Sequence, residues 1–255
     1  MTDRLQGAAT IVAGVGGIGA AISRTFASEG ARVWCLDLDG AAVAAVVRSI
    51  VEGGGTASGV ACDSTQQAEI ADAIGAGIAW LGGLDAFVTT VGGGSVPVPF
   101  LDLDLADWQT TIERNLTSVF LSTQIAARHM AANGRGAIVV TSSQLGAVAM
   151  AGMAPYCAAK GALNQLVKVM ANDLAPFGLR VNALAPGPTW TPEAERAATL
   201  GGPHLATIEH VNNRIPMGRW ARPDEIAQAA VFLASEESSF VTGTTLLIDG
   251  GYTSV

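Results

Sequence analysis

The chain has 255 residues, of which 49% are hydrophobic, and its formal net charge is −8. This length suffices for one large α/β domain with a sizeable buried core. The acidic balance argues against a nucleic-acid-binding protein, because phosphate recognition needs clustered Lys and Arg, and it also disfavours anionic membranes. Three cysteines without a CxxC pair suggest neither a disulfide framework nor a zinc site, so no metal is expected.

Apolar runs are too short for a membrane span anywhere along the chain. The first of them, Ala8–Ala13, is also too short for the apolar core of a signal peptide. We therefore expect a cytoplasmic protein that binds neither membrane nor nucleic acid.

Apolar runs of strand length alternate with amphipathic stretches of helix length. This alternation predicts parallel strands joined by helical crossovers, with helices on both faces of the sheet. The predicted strands are Ala8–Ala13, Arg32–Leu36, Ala57–Cys62, Ala86–Val91, Ala137–Thr141, Arg180–Leu184 and Thr244–Ile248. The predicted helices are Ile18–Ser28, Ala41–Val51, Ala68–Trp80, Asp107–Ala132, Tyr156–Leu174 and Pro223–Ala234.

Neither a linker nor a repeat interrupts this pattern, so we predict a single α/β domain over residues 1–255. Its fold class is a doubly wound Rossmann fold with a seven-stranded, mostly parallel sheet. The least regular segment is Pro186–Arg219, which contains five prolines. A long irregular segment inside a compact domain is often functional, so we interpret this one as a lid or substrate loop.

A glycine-rich loop follows the first predicted strand and precedes a helix. In the sequence Gly14-Val15-Gly16-Gly17-Ile18-Gly19, the residues Gly14, Gly16 and Gly19 fit the spacing of a dinucleotide-binding loop. Backbone N–H groups at such a helix N-terminus can hold a pyrophosphate. A tight turn without a ligand would explain the loop alone, but Asp37 ends the second strand about twenty residues on, where a carboxylate can bind ribose hydroxyls.

Tyr156 and Lys160 lie four residues apart on a predicted helix, so their side chains share one face. A tyrosine hydroxyl ordinarily has a pKa near ~10, and a nearby ammonium favours the phenolate. We therefore expect Lys160 to lower the pKa of Tyr156 enough for acid/base work. Ser143 follows a predicted strand at the ligand-binding edge of the sheet and could hold the substrate oxygen.

The motif Tyr156-Cys157-Ala158-Ala159-Lys160, with Ser143 upstream in Thr141-Ser142-Ser143, resembles the short-chain dehydrogenase/reductase family. The resemblance extends over nearly the whole chain. It includes Asn115 in Asn115-Leu116-Thr117, Asp63 in Cys62-Asp63-Ser64, the run Asn182–Gly187, Thr191 and the tail Gly243–Gly251.

The resemblance implies an oxidoreductase that moves a hydride between a nicotinamide and a secondary alcohol or ketone. It implies that Tyr156 is the acid/base and that Ser143 stabilises the reacting oxygen. Lys160 would position the nicotinamide ribose, and Asn115 would support a water that relays protons. The residues that it implies for cofactor binding are Gly14, Gly16, Ile18, Gly19, Asp37, Cys62, Asp63, Thr90, Val91, Gly92, Tyr156, Lys160, Pro186, Gly187, Thr189 and Thr191.

Two segments depart from the family's pattern. The glycine loop is one residue shorter than the family's Thr-Gly-x-x-x-Gly-x-Gly, and Ala13 replaces its threonine. The family's Asn-Asn-Ala-Gly appears as Thr89-Thr90-Val91-Gly92. The first change affects the expected pyrophosphate contacts. The second alters hydrogen bonds at the central strand, although threonine can still donate and accept.

Asp37 predicts a preference for NAD over NADP, because a carboxylate would repel a 2′-phosphate. Two alternatives stay open: an NADPH-dependent reductase of the 3-oxoacyl type, and a non-catalytic nucleotide-binding protein on the same fold. The family favours a homotetramer or homodimer, and helix Leu163–Leu174 could pack against another subunit or within the chain. Trp190 and Met217 could line the substrate site, Gln144 could touch substrate or only solvent, and His129, His204 and His210 indicate no metal site.

Overall fold

The computed structural model describes residues 3–94, 96–200 and 212–254. Their strands form one seven-stranded sheet in the order β3-β2-β1-β4-β5-β6-β7, and every neighbouring pair is parallel. The predicted fold class is confirmed, and the sheet is parallel throughout rather than mostly so. The strands are β1 (Ala9–Ala13), β2 (Arg32–Asp37), β3 (Thr56–Ala61), β4 (Ala86–Thr89), β5 (Gly136–Thr141), β6 (Leu179–Pro186) and β7 (Thr245–Ile248).

The helices alternate with these strands. They are α1 (Gly17–Ser28), α2 (Gly40–Glu52), α3 (Gln67–Leu81), α4 (Leu105–Ile112), α5 (Ser118–Asn133), α6 (Ala154–Leu174), α7 (Pro192–Leu200) and α8 (Pro223–Ala234). None of the helices in the described ranges is both long enough and apolar enough to span a membrane.

Two hydrophobic cores lie on opposite faces of the sheet. Successive strand residues alternate between them, so Ile11 of β1 packs with α3, α5 and α6, whereas Val12 packs with α1, α2 and α8. This alternation explains why β1, β4 and β5 are apolar on both faces. Helix α6 contributes Leu163, Val167 and Ala171 to the chain's own core. Its apolar face therefore packs within the chain, which is one of the two possibilities left open by the sequence.

Polar side chains fix several helix ends. Asp39 caps α2 by accepting from the backbone N–H groups of Ala41 (2.9 Å) and Ala42 (3.2 Å). At the other end of the domain, the Arg180 guanidinium donates to the carbonyls of Leu233 and Ser235 (2.9 Å each), satisfying the last turn of α8. These local contacts hold the helices in register with the strands that they cover.

The single helix predicted for Asp107–Ala132 is wrong in one detail. A π-helical turn, Glu113–Thr117, separates α4 from α5. Inside it the Asn115 side-chain amide donates to the Thr111 carbonyl (3.0 Å), and the Ser118 hydroxyl donates to the Arg114 carbonyl (2.7 Å). Such side-chain bonds to the backbone compete with regular helix bonds and favour a widened turn.

The two ends of the predicted lid, Pro186–Arg219, lie side by side. Thr189 forms a β-bridge with Ala221, and the Trp190 ring packs edge-on against Trp220 with their centroids 5.4 Å apart. Helix α7 follows the first attachment point. Residues 201–211 of the predicted lid, which include His204 and His210, fall outside the described residues.

Candidate active site

The carboxyl ends of the parallel strands meet at one edge of the sheet. Strand β1 stands next to β4, and the connection that leaves β1 leads to β2 on one side, whereas the connection that leaves β4 leads to β5 on the other. In open α/β sheets this reversal point opens a crevice in which ligands bind. A cleft of about 930 Å³ lies there.

The glycine loop forms one wall of the cleft. A Cβ on Gly19 would collide with the Gly14 carbonyl oxygen, and a Cβ on Gly17 would lie 2.6 Å from the Thr191 Cβ. Gly14 itself has φ +87°, a backbone conformation that side chains disfavour. A Cβ on Gly16, in contrast, would meet no atom of the described residues within 4 Å. Gly14, Gly17 and Gly19 therefore shape the loop, whereas Gly16 leaves space in the cleft.

Asp37 supports the shortened loop directly. One carboxylate oxygen accepts from the Val15 backbone N–H at 2.6 Å, and the other accepts from the Asp39 N–H at 3.0 Å. The carboxylate lines the cleft and retains lone pairs for a ligand. Asp37 thus links the glycine loop to the end of β2, a contact that the sequence did not reveal.

The residues that follow β3 and β4 also line the cleft. Thr90, which stands where the family has asparagine, donates its hydroxyl to the Gly14 carbonyl at 2.6 Å. The expectation that a threonine could still hydrogen-bond here is confirmed. Asp63 accepts from both the backbone N–H and the hydroxyl of Thr65 (2.9 and 2.7 Å). Cys62 is buried, and burial raises the pKa of its thiol to about 11, so it lines the cleft as a neutral group.

Ser143, Tyr156 and Lys160 come together at the far end of the cleft. Lys160 is buried on α6, and its ammonium donates to the Thr141 carbonyl at 3.0 Å. The same nitrogen lies 5.6 Å from the centre of the Tyr156 ring. The Ser142 hydroxyl donates to the Lys160 carbonyl at 3.0 Å, which fixes α6 against the end of β5. The helical spacing of four residues between Tyr156 and Lys160 therefore does place both side chains toward one site.

The pKa of Tyr156 contradicts the sequence-based expectation. Burial raises it above its ordinary value of 10.0, and the neighbouring Ser143 hydroxyl opposes that rise only in part. Burial also lowers the pKa of Lys160 from 10.5 to about 8. Lys160 donates to the Thr141 carbonyl and is not among the groups that shift the pKa of Tyr156, so the downward shift that we expected from it is absent.

Asn115 lies behind this group rather than in the main cleft. It is fully buried, and its side-chain oxygen accepts from the Gly93 backbone N–H at 3.0 Å. A Cβ on Gly92 would lie 2.5 Å from that oxygen and 3.4 Å from the Lys160 nitrogen. Asn115 therefore anchors the segment that follows β4 and lies close to Lys160. It lines a second cavity, of about 300 Å³, next to the main cleft.

The end of β6 closes the last side. Pro186, Gly187, Thr189 and Thr191 all line the cleft, and the Thr189 hydroxyl donates to the Gly187 carbonyl at 3.0 Å. Thr191 precedes α7 and accepts from the Ala194 N–H at 3.3 Å. This placement brings the predicted lid's first residues next to the glycine loop.

The structure thus brings together every residue predicted for cofactor binding and three of the four predicted for catalysis. The cleft is lined by Gly14, Gly16, Ile18, Gly19, Asp37, Cys62, Asp63, Thr90, Val91, Gly92, Ser143, Tyr156, Lys160, Pro186, Gly187, Thr189 and Thr191. Their positions fit a dinucleotide, because Gly14, Gly17 and Gly19 let the loop pack tightly on Thr90 and Thr191, while Gly16 leaves open space beside the N-terminus of α1 where a pyrophosphate could lie.

Sequence reasoning missed several residues of this site. Gly17 went unnoticed because its contact, Thr191, is distant in sequence. Arg114 and Glu193 also line the cleft, but single charged residues carry no local signal. Thr141 contributes a backbone carbonyl, which no side-chain pattern can indicate.

Other candidates proved less relevant to the cleft. Trp190 and Met217 are not among its lining residues and are partly exposed. Gln144 is buried, and its side-chain oxygen has no hydrogen-bond partner in the described part of the chain. The three cysteines are free, and no cluster of metal-ligating side chains occurs within the described ranges.

Comparison with known proteins identifies the family. Residues 12–253 match a family model described as enoyl-(acyl carrier protein) reductase. A structure of a short-chain type dehydrogenase/reductase from Mycobacterium marinum superposes with a TM-score of 0.91 at 34% identity, covering 99% of this chain and 98% of that one. The chain belongs to the short-chain dehydrogenase/reductase family.

Two relatives are named as dehydrogenases, one of a hydroxylated ring and one of a polyol. Cis-4-hydroxycyclohexanecarboxylate dehydrogenase of Sinomonas cyclohexanicum is 41% identical over 97% of this chain and 96% of its own length. D-threitol dehydrogenase of Mycolicibacterium smegmatis is 37% identical over 98% of this chain and 94% of its own length. The protein is a nicotinamide-dependent oxidoreductase that acts on secondary alcohols or the corresponding ketones.

The two kinds of glycine in the loop give a first prediction. Gly19→Ala should lower the free energy of unfolding by roughly 1–3 kcal/mol, because the new methyl group collides with backbone. Gly16→Ala should keep wild-type stability but weaken NADH binding, because its methyl group would enter the cleft. Urea denaturation and NADH fluorescence titration measure the two effects. Equal stability of the two variants would contradict this account of the loop.

The buried lysine gives a second prediction. Below pH 8 both the folded and the unfolded chain carry charged Lys160, but between about pH 8 and 10.5 only the unfolded chain retains the proton. Wild type should therefore gain stability relative to Lys160→Met across this interval, by up to about 3 kcal/mol. Denaturation at pH 7 and pH 10 tests this. Lys168→Met, an exposed lysine on the same helix, is the control and should show no such change.

Proposed function

We propose that the protein is an NAD-dependent dehydrogenase in which Tyr156 exchanges the proton with the substrate oxygen. The observation that most supports this proposal is that Ser143, Tyr156 and Lys160 line the same cleft as the glycine loop. A bound nicotinamide would accept or supply the hydride there. The non-catalytic alternative has no use for this group of side chains at a ligand site.

The proposed roles follow from the geometry. The Tyr156 hydroxyl holds the transferable proton, and the Ser143 hydroxyl donates a hydrogen bond to the same substrate oxygen. Lys160 binds ribose hydroxyls and, when charged, favours the tyrosinate. Because the chain alone raises the pKa of Tyr156, the positive charge of oxidised nicotinamide is an additional factor that would favour the deprotonated form. Asn115 holds Gly93 and supports the proton relay beside Lys160.

The cofactor would be held by the residues of both cleft walls. The pyrophosphate would lie at the glycine loop and the N-terminus of α1, and the adenosine ribose would lie at Asp37. Cys62 and Asp63 would adjoin the adenine, Thr90, Val91 and Gly92 the nicotinamide ribose, and Pro186, Gly187, Thr189 and Thr191 the carboxamide. Asp37 supports NAD over NADP, because its carboxylate would repel a 2′-phosphate. No described Lys or Arg forms an ion pair with Asp37, so no cation beside it would offset that repulsion.

The substrate is a cyclic secondary alcohol or polyol, as for the relatives from Sinomonas and Mycolicibacterium. We propose one domain over residues 1–255, with Pro186–Arg219 as its lid. A cytoplasmic homodimer or homotetramer fits the exposed apolar side chains Phe120, Val169, Phe177 and Phe240.

Tyr156→Phe tests the central role. The variant keeps the ring but cannot exchange the proton, so turnover should fall by at least ~100-fold while NADH binding is largely retained. Tyr252→Phe is a matched control, because Tyr252 is buried and its hydroxyl has no partner among the described residues. Steady-state assays on cyclic alcohols measure turnover, and NADH titrations measure cofactor binding, for each of the two variants. Near-normal turnover in folded Tyr156→Phe would refute the proposal.

Asp37 provides the test of cofactor preference. Wild type should show at least ~10-fold higher kcat/KM with NAD than with NADP, a difference of only ~1.4 kcal/mol. Asp37→Ala should narrow this ratio. It should also weaken the binding of both cofactors, because the Val15 N–H loses its acceptor. Asp39→Asn removes a neighbouring charge and should leave the ratio unchanged. Equal use of both cofactors by wild type would exclude Asp37 as the selector.

A further inference from the structure

Arg114 is an unassigned cation at the rim of the cleft. It lies in the π-helical turn, its side chain is exposed, and it lines both the main cleft and the smaller cavity. Its guanidinium forms no ion pair and no hydrogen bond with any residue in the described ranges. An arginine in this state keeps all its donors available for a ligand.

The backbone around Arg114 holds its side chain beside Gly93. The guanidinium nitrogens and carbon lie 3.7–4.0 Å from the position that a Gly93 Cβ would occupy, so the planar group lies close to this peptide. Asn115, the next residue, accepts from the Gly93 N–H at 3.0 Å and donates to the Thr111 carbonyl at 3.0 Å. The buried Asn115 side chain therefore fixes the backbone of the π-helical turn, from which Arg114 extends, relative to Gly93.

Position along the cleft brings Arg114 close to the reacting centre. Gly92 adjoins the Lys160 nitrogen, and a Cβ on Gly94 would lie 4.0 Å from the Met153 side chain. Gly93 stands between these two contacts. A group bound by Arg114 would thus lie near the nicotinamide half of the cofactor or near the substrate.

The charge of the cleft explains why a free cation matters. Its lining includes four carboxylates, those of Asp37, Asp63, Glu113 and Glu193, but only two cations, Lys160 and Arg114. Lys160 is buried and engaged with the Thr141 carbonyl, so Arg114 is the cation in the described lining that remains available at the surface. An anionic ligand entering this acidic cleft would gain most from Arg114.

We infer that Arg114 is an anion-binding residue of the cleft, which pairs with a phosphate or carboxylate group of the bound ligand. This inference rests on the proposed dehydrogenase function. The same chemistry has two sources, the nicotinamide-side phosphate of the dinucleotide and a carboxylate on the substrate. Guanidinium binds both groups through paired hydrogen bonds.

The first experiment uses nucleotides and needs no turnover. Binding of NADH, ADP and adenosine is measured by fluorescence or calorimetry for wild type, Arg114→Gln and Arg48→Gln, at low and high salt. Arg48 is exposed on α2 and provides the same change in net charge outside the cleft. If Arg114 pairs with the nicotinamide-side phosphate, Arg114→Gln should bind NADH and ADP about tenfold more weakly at low salt. Adenosine binding should not change, and high salt should narrow the loss.

The second experiment uses the NADH complex and compares cyclohexanecarboxylate with cyclohexanecarboxamide. If Arg114 pairs with a substrate carboxylate, Arg114→Gln should lose about tenfold in affinity for the carboxylate only, while NADH binding stays at the wild-type level. If wild type binds no carboxylate, the nucleotide experiment alone decides. The inference is overturned if Arg114→Gln binds each of the ligands that wild type binds with the same affinity as wild type. Failure of wild type to bind NADH would instead contradict the proposed function.

Discussion

The close contact between the start of α1 and the ends of β1 and β4 is the constraint on which the site depends. Gly19 packs directly on the Gly14 carbonyl, and the Thr90 hydroxyl donates to that same oxygen. Any side chain at Gly19 would separate helix from sheet at the point where the strand order reverses. Because the other strand ends are in register with β1 through the parallel sheet, this contact also sets the distance from the loop to Ser143 and Lys160.

Asp37 supplies a hydrogen-bond acceptor to the shortened glycine loop, because its carboxylate accepts from the Val15 N–H. A buried or partly buried N–H without an acceptor would be costly. The side chain expected to choose between cofactors therefore also maintains the loop that receives them, so cofactor preference and loop geometry are physically coupled.

Hydrophobic periodicity predicted all seven strands to within a few residues, because sheet and helix faces must alternate to fill two cores. The six predicted helices cover seven of the eight described ones, with α4 and α5 joined into one, and α7 was missed. Asp37, Tyr156 and Lys160 were found for the same reason: strand ends and helical spacing determine where their side chains lie. The π-helical turn at Asn115 was missed, because it arises from side-chain bonds to the backbone rather than from periodicity. The pKa direction of Tyr156 was also wrong, because burial and the Thr141 carbonyl depend on the tertiary fold.

The contacts between the two ends of segment Pro186–Arg219 have a consequence for how this family diversifies. The bridge between Thr189 and Ala221 and the pair Trp190–Trp220 bring the two ends together independently of what lies between them. Closing a loop between fixed ends depends only weakly on its length, about 0.6 kcal/mol for each doubling. Insertions and deletions between these two points can therefore accumulate with little loss of stability, and substrate range can evolve without disturbing the catalytic sheet.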